Sequence, residues 1–168
     1  MKTRIIVFIT LIFIALLQSC SIKQGSITNP DKYFNKMAWM QEAWHSKSSS
    51  TEQIEEWKKN NNTEINTEQH IIIGKDTIYD EYGKVYYNKE TKNICYESVI
   101  GKYIQEAEET YYLYKCNKRK IVFEIFRDEI RYTTTYEKRG KDKVKIIMTT
   151  YLGVEPHVES YTMQKNNN

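Results

Sequence analysis

Eight residues of this 168-residue chain stand out by type and spacing as candidates for chemistry: Cys20, Cys95 and Cys116, His45, His70 and His157, and the adjacent carboxyls Glu55 and Glu56. A metal centre would draw on the histidines and cysteines. No two histidines stand at His-x-x-x-His spacing and no Cys-x-x-Cys occurs, so a metal centre has no framework. Acid–base catalysis needs two carboxyls converging on one point. On a strand, Glu55 and Glu56 point to opposite faces and cannot converge. One of them then either faces inward, as an anchor for a ligand or an arginine, or rests as a solvated edge carboxylate. A glycine-rich phosphate loop and a Gly-x-Ser-x-Gly elbow are both missing, which leaves nucleotide binding and serine hydrolysis without support. The reading is therefore non-enzymatic, with no catalytic residue, metal or cofactor assigned.

The elements that must position these residues are strands. Hydrophobic residues make up 40% and charged residues 28% of the chain, a balance that suits a soluble fold. Tyrosine is unusually frequent at 14, of which 13 lie at or beyond Tyr79, whereas Gly (6) and Pro (2) are scarce. Many Tyr, Ile, Val and Thr with few Gly favours strands over disorder. Asn29-Pro30-Asp31 starts a helix, and Tyr33, Phe34, Met37 and Met40 recur at helical spacing, which predicts a short helix over Asp31–Gln41. Ten strands are expected beyond it, at Trp44–Ser48, Thr51–Trp57, Glu68–Ile73, Asp76–Tyr87, Asn93–Val99, Tyr111–Cys116, Lys120–Phe126, Ile130–Lys138, Lys143–Tyr151 and His157–Gln164. The stretch Thr51–Lys59 also satisfies a helical pattern, with Thr51 as cap and Glu55–Lys59 one turn apart. Short polar links between alternating runs make an antiparallel meander. Its free edges favour closure into an up-and-down barrel of about 8–10 strands.

The N-terminus carries an address. Met1-Lys2-Thr3-Arg4 is basic, Ile5–Leu17 is apolar apart from Thr10, and Leu17-Gln18-Ser19-Cys20 closes the run. That is the plan of a secretory signal, and the run is shorter than the roughly 20 residues of a spanning helix. Leu-x-Ser-Cys resembles the lipobox of bacterial lipoproteins. The resemblance implies removal of residues 1–19, lipidation of Cys20 and a membrane anchor through that lipid. The polar stretch 20–30 then reads as a tether, 31–164 as the folded domain and 165–168 as a tail. Lys2 and Arg4 leave with the signal, so 23 basic residues face 22 acidic ones and the remainder carries +1. That balance gives nucleic acid no purchase. Residues 21–25 lack an acidic side chain. As in similar lipoproteins, this places the protein on the outer membrane, facing the periplasm.

Trp39-Met40-Gln41-Glu42-Ala43-Trp44 resembles the Trp-Leu-x-Gly-x-Trp opening of small lipocalin-like (calycin-type) barrels, with Glu42 where Gly is usual. Glu55-Glu56-Trp57 is similar to the acidic-then-Trp second strand of a family of bacterial lipocalin-like proteins of no established activity. Phe126-Arg127-Asp128-Glu129-Ile130-Arg131-Tyr132 resembles their late Asp-x-x-Ile-x-Tyr strand entry, without its proline and with one residue fewer between Asp128 and Ile130. The resemblance implies a barrel plugged at one end by a short helix. Nitrobindin-like barrels bind haem through a histidine near the C-terminal strands. His157 is the one position that corresponds, against the alternative of an exposed histidine at a strand start.

A barrel interior holds either a ligand or only side chains. Trp44, Trp57, Tyr132, Tyr136, Ile146 and Met148 are the candidate lining. Tyr132, Tyr136, Ile146 and Met148 oppose Arg131, Lys143 and Lys145, so they point inward and specify an apolar ligand. The alternative is a packed barrel whose outer surface binds a protein partner. Cys95 and Cys116 fall on strands expected to be neighbours and are a candidate disulfide, provided they share a face.

Overall fold

The computed structural model describes residues 26–101, 109–153 and 155–166. Helix α1 (Pro30–Met37) starts where the sequence demands. Asn29 caps it by accepting from the Lys32 backbone N–H at 3.1 Å, Pro30 fills the first turn, and Asp31 and Lys36 complement the dipole at its two ends. A 3₁₀ turn (Ala38–Met40) extends it. Phe34, Met37 and Met40 are buried from this segment, so its apolar stripe faces the core.

Ten strands follow: β1 (Ala43–Lys47), β2 (Thr51–Asn61), β3 (Glu64–Ile73), β4 (Asp76–Asn88), β5 (Asn93–Ile100), β6 (Glu109–Asn117), β7 (Lys120–Arg127), β8 (Ile130–Lys138), β9 (Lys143–Tyr151) and β10 (Pro156–Lys165). Each pairs antiparallel with the next, and β1 closes on β10 through Trp44↔Lys165 and His45↔Gln164. The chain thus forms the expected all-β antiparallel up-and-down barrel with ten strands and a short helix in front, consistent with a lipocalin-like barrel. Thr51–Lys59 is strand. Glu55 and Trp57 are buried on one face, and the Lys58 ammonium meets Glu56 at 2.8 Å on the other, a period of two.

The two ends of the barrel differ. At the end where α1 docks, Trp44, Trp57, Ile65, Val85, Ile94, Leu113, Ile121, Val144 and Met163 pack against Phe34, Met37 and Met40 in one apolar cluster. The Trp44 indole N–H donates to the Met40 carbonyl at 3.1 Å, tying β1 to the plug. The chain enters at this end. Ile27 is buried, its N–H donates to the Lys92 carbonyl in the β4–β5 turn at 2.8 Å, and its carbonyl accepts from the Tyr87 hydroxyl at 3.0 Å. A register shift between Leu113 and Lys115 changes the facing of β6, so Leu113 enters the core while Cys116 turns toward α1. Cys20 and the 1–19 segment lie outside the described residues.

Candidate functional site

The half of the barrel away from α1 is not filled. A cavity of about 360 Å³ lies between two unlike walls. Thr134, Tyr136, Ile146, Met148 and Tyr161 line it from β8, β9 and β10, and Gln53, Gln69, Ile71, Tyr79, Glu81, Tyr96, Ser98, Glu109 and Tyr111 line it from β2 to β6. Both alternatives for the interior are therefore realised, one in each half. The outer half is not the wholly apolar space expected from β8 and β9. The opposite wall carries two carboxylates, and no Lys, Arg or His is among the described lining side chains.

Strand register builds the polar wall. Glu55 pairs with Gln69 across β2–β3, and Gln69 pairs with Glu81 across β3–β4, which sets three inward polar side chains in one row. The Tyr79 hydroxyl donates to Glu81 Oε2 at 2.6 Å and the Tyr96 hydroxyl to Glu81 Oε1 at 2.8 Å. Gln53 Nε2 donates to the Tyr161 hydroxyl at 2.8 Å. Glu109 accepts from the Tyr111 hydroxyl at 2.8 Å and pairs closely with Arg127. Gly83 makes room for this arrangement. A Cβ there would strike Thr67 Oγ1 and come within 2.6 Å of the Tyr96 ring.

Glu55 closes the floor beneath the cavity. It is 4% exposed, and its Oε1 accepts from the Trp57 indole N–H at 2.7 Å. Burial pushes its carboxyl up to about 7, although the Trp57 and Tyr136 donors favour the charged form; the nearby Glu81 charge adds to the rise. Burial, aided by these carboxylates, also lifts Tyr96, Tyr136 and Tyr161 above the ordinary phenol range, so they remain neutral donors at physiological pH.

The candidate lining residues divide. Tyr136, Ile146 and Met148 line the cavity, with Met148 at 38% exposure near its mouth. Tyr132 lines an adjoining groove with Met148, Thr150 and His157. Trp44 and Trp57, each 1% exposed, lie in the packed floor and do not line the cavity. His157 is on the surface, 3.1 Å from Glu159. Cys95 and Cys116 are free thiols. The β5–β6 ladder sets Cys95 across from Tyr112, not Cys116, and the structure does not bring the two together. Burial pushes the Cys116 thiol up to about 11 and raises Cys95 as well. Among the described residues no His/Cys/Asp/Glu cluster is placed to hold a metal ion.

Sequence reasoning missed Gln53, Gln69, Glu81 and Glu109 as lining residues. The parity of β2 carries one usable signal: Gln53 and Glu55 share a face with Trp57, and a large aromatic side chain faces the core. Comparison of the chain with protein-family models, curated proteins and solved structures finds no match.

Proposed function

We propose that this protein is a lipid-anchored envelope lipoprotein that holds a small organic molecule in the outer half of its barrel. One observation carries the binding reading: a barrel whose floor is densely packed and plugged keeps a cavity of about 360 Å³ in its other half. Small-molecule sites combine apolar surface with a few placed polar groups, and Ile146, Met148 and Tyr136 facing Glu81 and Gln53 supply that mixture. The role is carriage rather than catalysis, because the carboxyls nearest the cavity are engaged by hydroxyl, indole or guanidinium donors. The anchoring part rests on the leader and Cys20, and the outer-membrane, periplasm-facing placement rests on residues 21–25. Ile27 joins the barrel at the plugged end. A tether running from Cys20 to it then points the cavity away from the membrane.

A second reading is a structural or partner-binding lipoprotein. It draws on the exposed apolar residues at the cavity end, Ile78, Phe126, Leu152 and Val158, each more than half exposed. Native mass spectrometry of the protein extracted from the envelope separates the two. A co-purifying small molecule supports carriage, and a co-purifying polypeptide with an empty barrel supports the second reading.

A further inference from the structure

We propose that the molecule held in this cavity is an organic cation, with an ammonium group seated against Glu81 among the tyrosine rings. The proposal rests on the binding reading above and adds the charge of the ligand. The first argument is compensation. Among the described residues no Lys, Arg or His lines the cavity, so a carboxylate or phosphate brought against them would be desolvated without a charged partner. Glu109 is neutralised by Arg127. Glu81 forms no ion pair among the described residues, and both its oxygens accept from neutral tyrosine hydroxyls. Its negative charge is thus held in place and left for a cation to meet.

The second argument is the surrounding surface. Tyr79, Tyr96, Tyr111, Tyr136 and Tyr161 ring the space, and tyrosine faces attract cations while rejecting anions. The third is Ser98. It is 5% exposed and lines the cavity. A serine hydroxyl in a cavity wall has lone pairs that can accept from a guest. The register sets Ser98 opposite Gly83, two residues along β4 from Glu81, so both oxygens face one region of the cavity. An ammonium carries three N–H donors, and this acceptor-rich wall offers complementary sites.

The test is calorimetric titration of the purified protein with three probes sharing one body: tryptamine (cation), 3-ethylindole (neutral) and indole-3-propionate (anion). A charge-assisted hydrogen bond predicts that tryptamine binds about tenfold or more tighter than 3-ethylindole, with indole-3-propionate weakest. Glu81→Gln keeps the shape and an acceptor for the tyrosines and removes the charge. It should erase the tryptamine preference and leave 3-ethylindole unchanged. If 3-ethylindole or indole-3-propionate binds the unaltered protein as tightly as tryptamine, the cation inference is overturned and the carriage reading stands. A preference that survives in a folded Glu81→Gln protein also overturns it. If none of the three binds, both fall. Should Glu81→Gln fail to fold by circular dichroism, the ratio measured on the unaltered protein decides alone.

Discussion

The Trp57 indole N–H donates to Glu55 Oε1 at 2.7 Å from two residues further along the same inward face of β2. The pair marks the boundary inside the barrel. Trp57 belongs to the packed floor, and Glu55 is the first polar side chain above it. Glu55 in turn leads through Gln69 to Glu81 at the cavity wall.

This pair makes stability depend on pH. Folded Glu55 holds its proton up to about 7, whereas a free glutamate releases it near 4.5. The folded state therefore binds more protons between those values, and its stability falls as pH rises through that window and levels off above it. The loss attributable to Glu55 is about 3 kcal/mol. Urea unfolding at several pH values, with Glu55→Gln as reference, measures it. The difference in stability between the two proteins should drift by about that amount between pH 4.5 and 8. Parallel curves would show that Glu55 ionises normally.

Gly83→Ala should destabilise the barrel by about 1–3 kcal/mol, because the new methyl meets Thr67 Oγ1 and the Tyr96 ring with no room to retreat. It should weaken tryptamine binding as well, since Tyr96 is displaced from Glu81. Thermal unfolding together with the titration checks both. A fully stable Gly83→Ala protein would mean that Tyr96 does not occupy this position.

Trp44→Ala should cost about 3–5 kcal/mol, the usual range for emptying a buried indole site. Trp44→Phe should cost less while still losing the bond to the Met40 carbonyl. Equilibrium denaturation gives both values. A cost below about 1 kcal/mol for the alanine variant would place Trp44 outside the core.

The ten strands were legible because alternation survives along β7, β8 and β9, where Ile121/Phe123/Ile125, Ile130/Tyr132/Thr134/Tyr136 and Val144/Ile146/Met148 keep one parity. The cavity was legible only on that side. Along β4, Tyr79 and Tyr87 face in, while Tyr82 and Tyr86 share the opposite parity, so aromatic residues sit on both faces and hide Glu81. The register shift at Ile71/Ile72 changes which β4 residues oppose β3, and a sequence does not announce it. Glu55 was reached as one of two alternatives. Its partner Trp57 decides between them, through parity with an aromatic that must be inside. The apolar-ligand expectation followed from reading β8 and β9 alone, because residues of the earlier strands β2 to β6 supply the opposite wall.

Cys20→Ala should leave either an uncleaved precursor or protein released as soluble material, because acyl chains contribute about 0.8 kcal/mol per buried CH₂ to anchoring. Membrane fractionation and intact mass report it, and unchanged values for both would refute lipidation at Cys20. The outer-membrane, periplasm-facing placement predicts that protease added to intact cells leaves the protein whole.

The central claim, that the outer half of the barrel is a binding cavity, is tested most directly by calorimetric titration of the unaltered protein and Met148→Trp. The probes are a panel of cationic, neutral and anionic aromatic compounds. The account predicts one-to-one saturable binding of at least one probe, weakened about tenfold or more by the indole placed at the mouth. The variant's melting temperature should stay close to that of the unaltered protein, because Met148 is 38% exposed and an added ring has space. No saturable binding of any probe, or binding that Met148→Trp leaves unchanged, would contradict it.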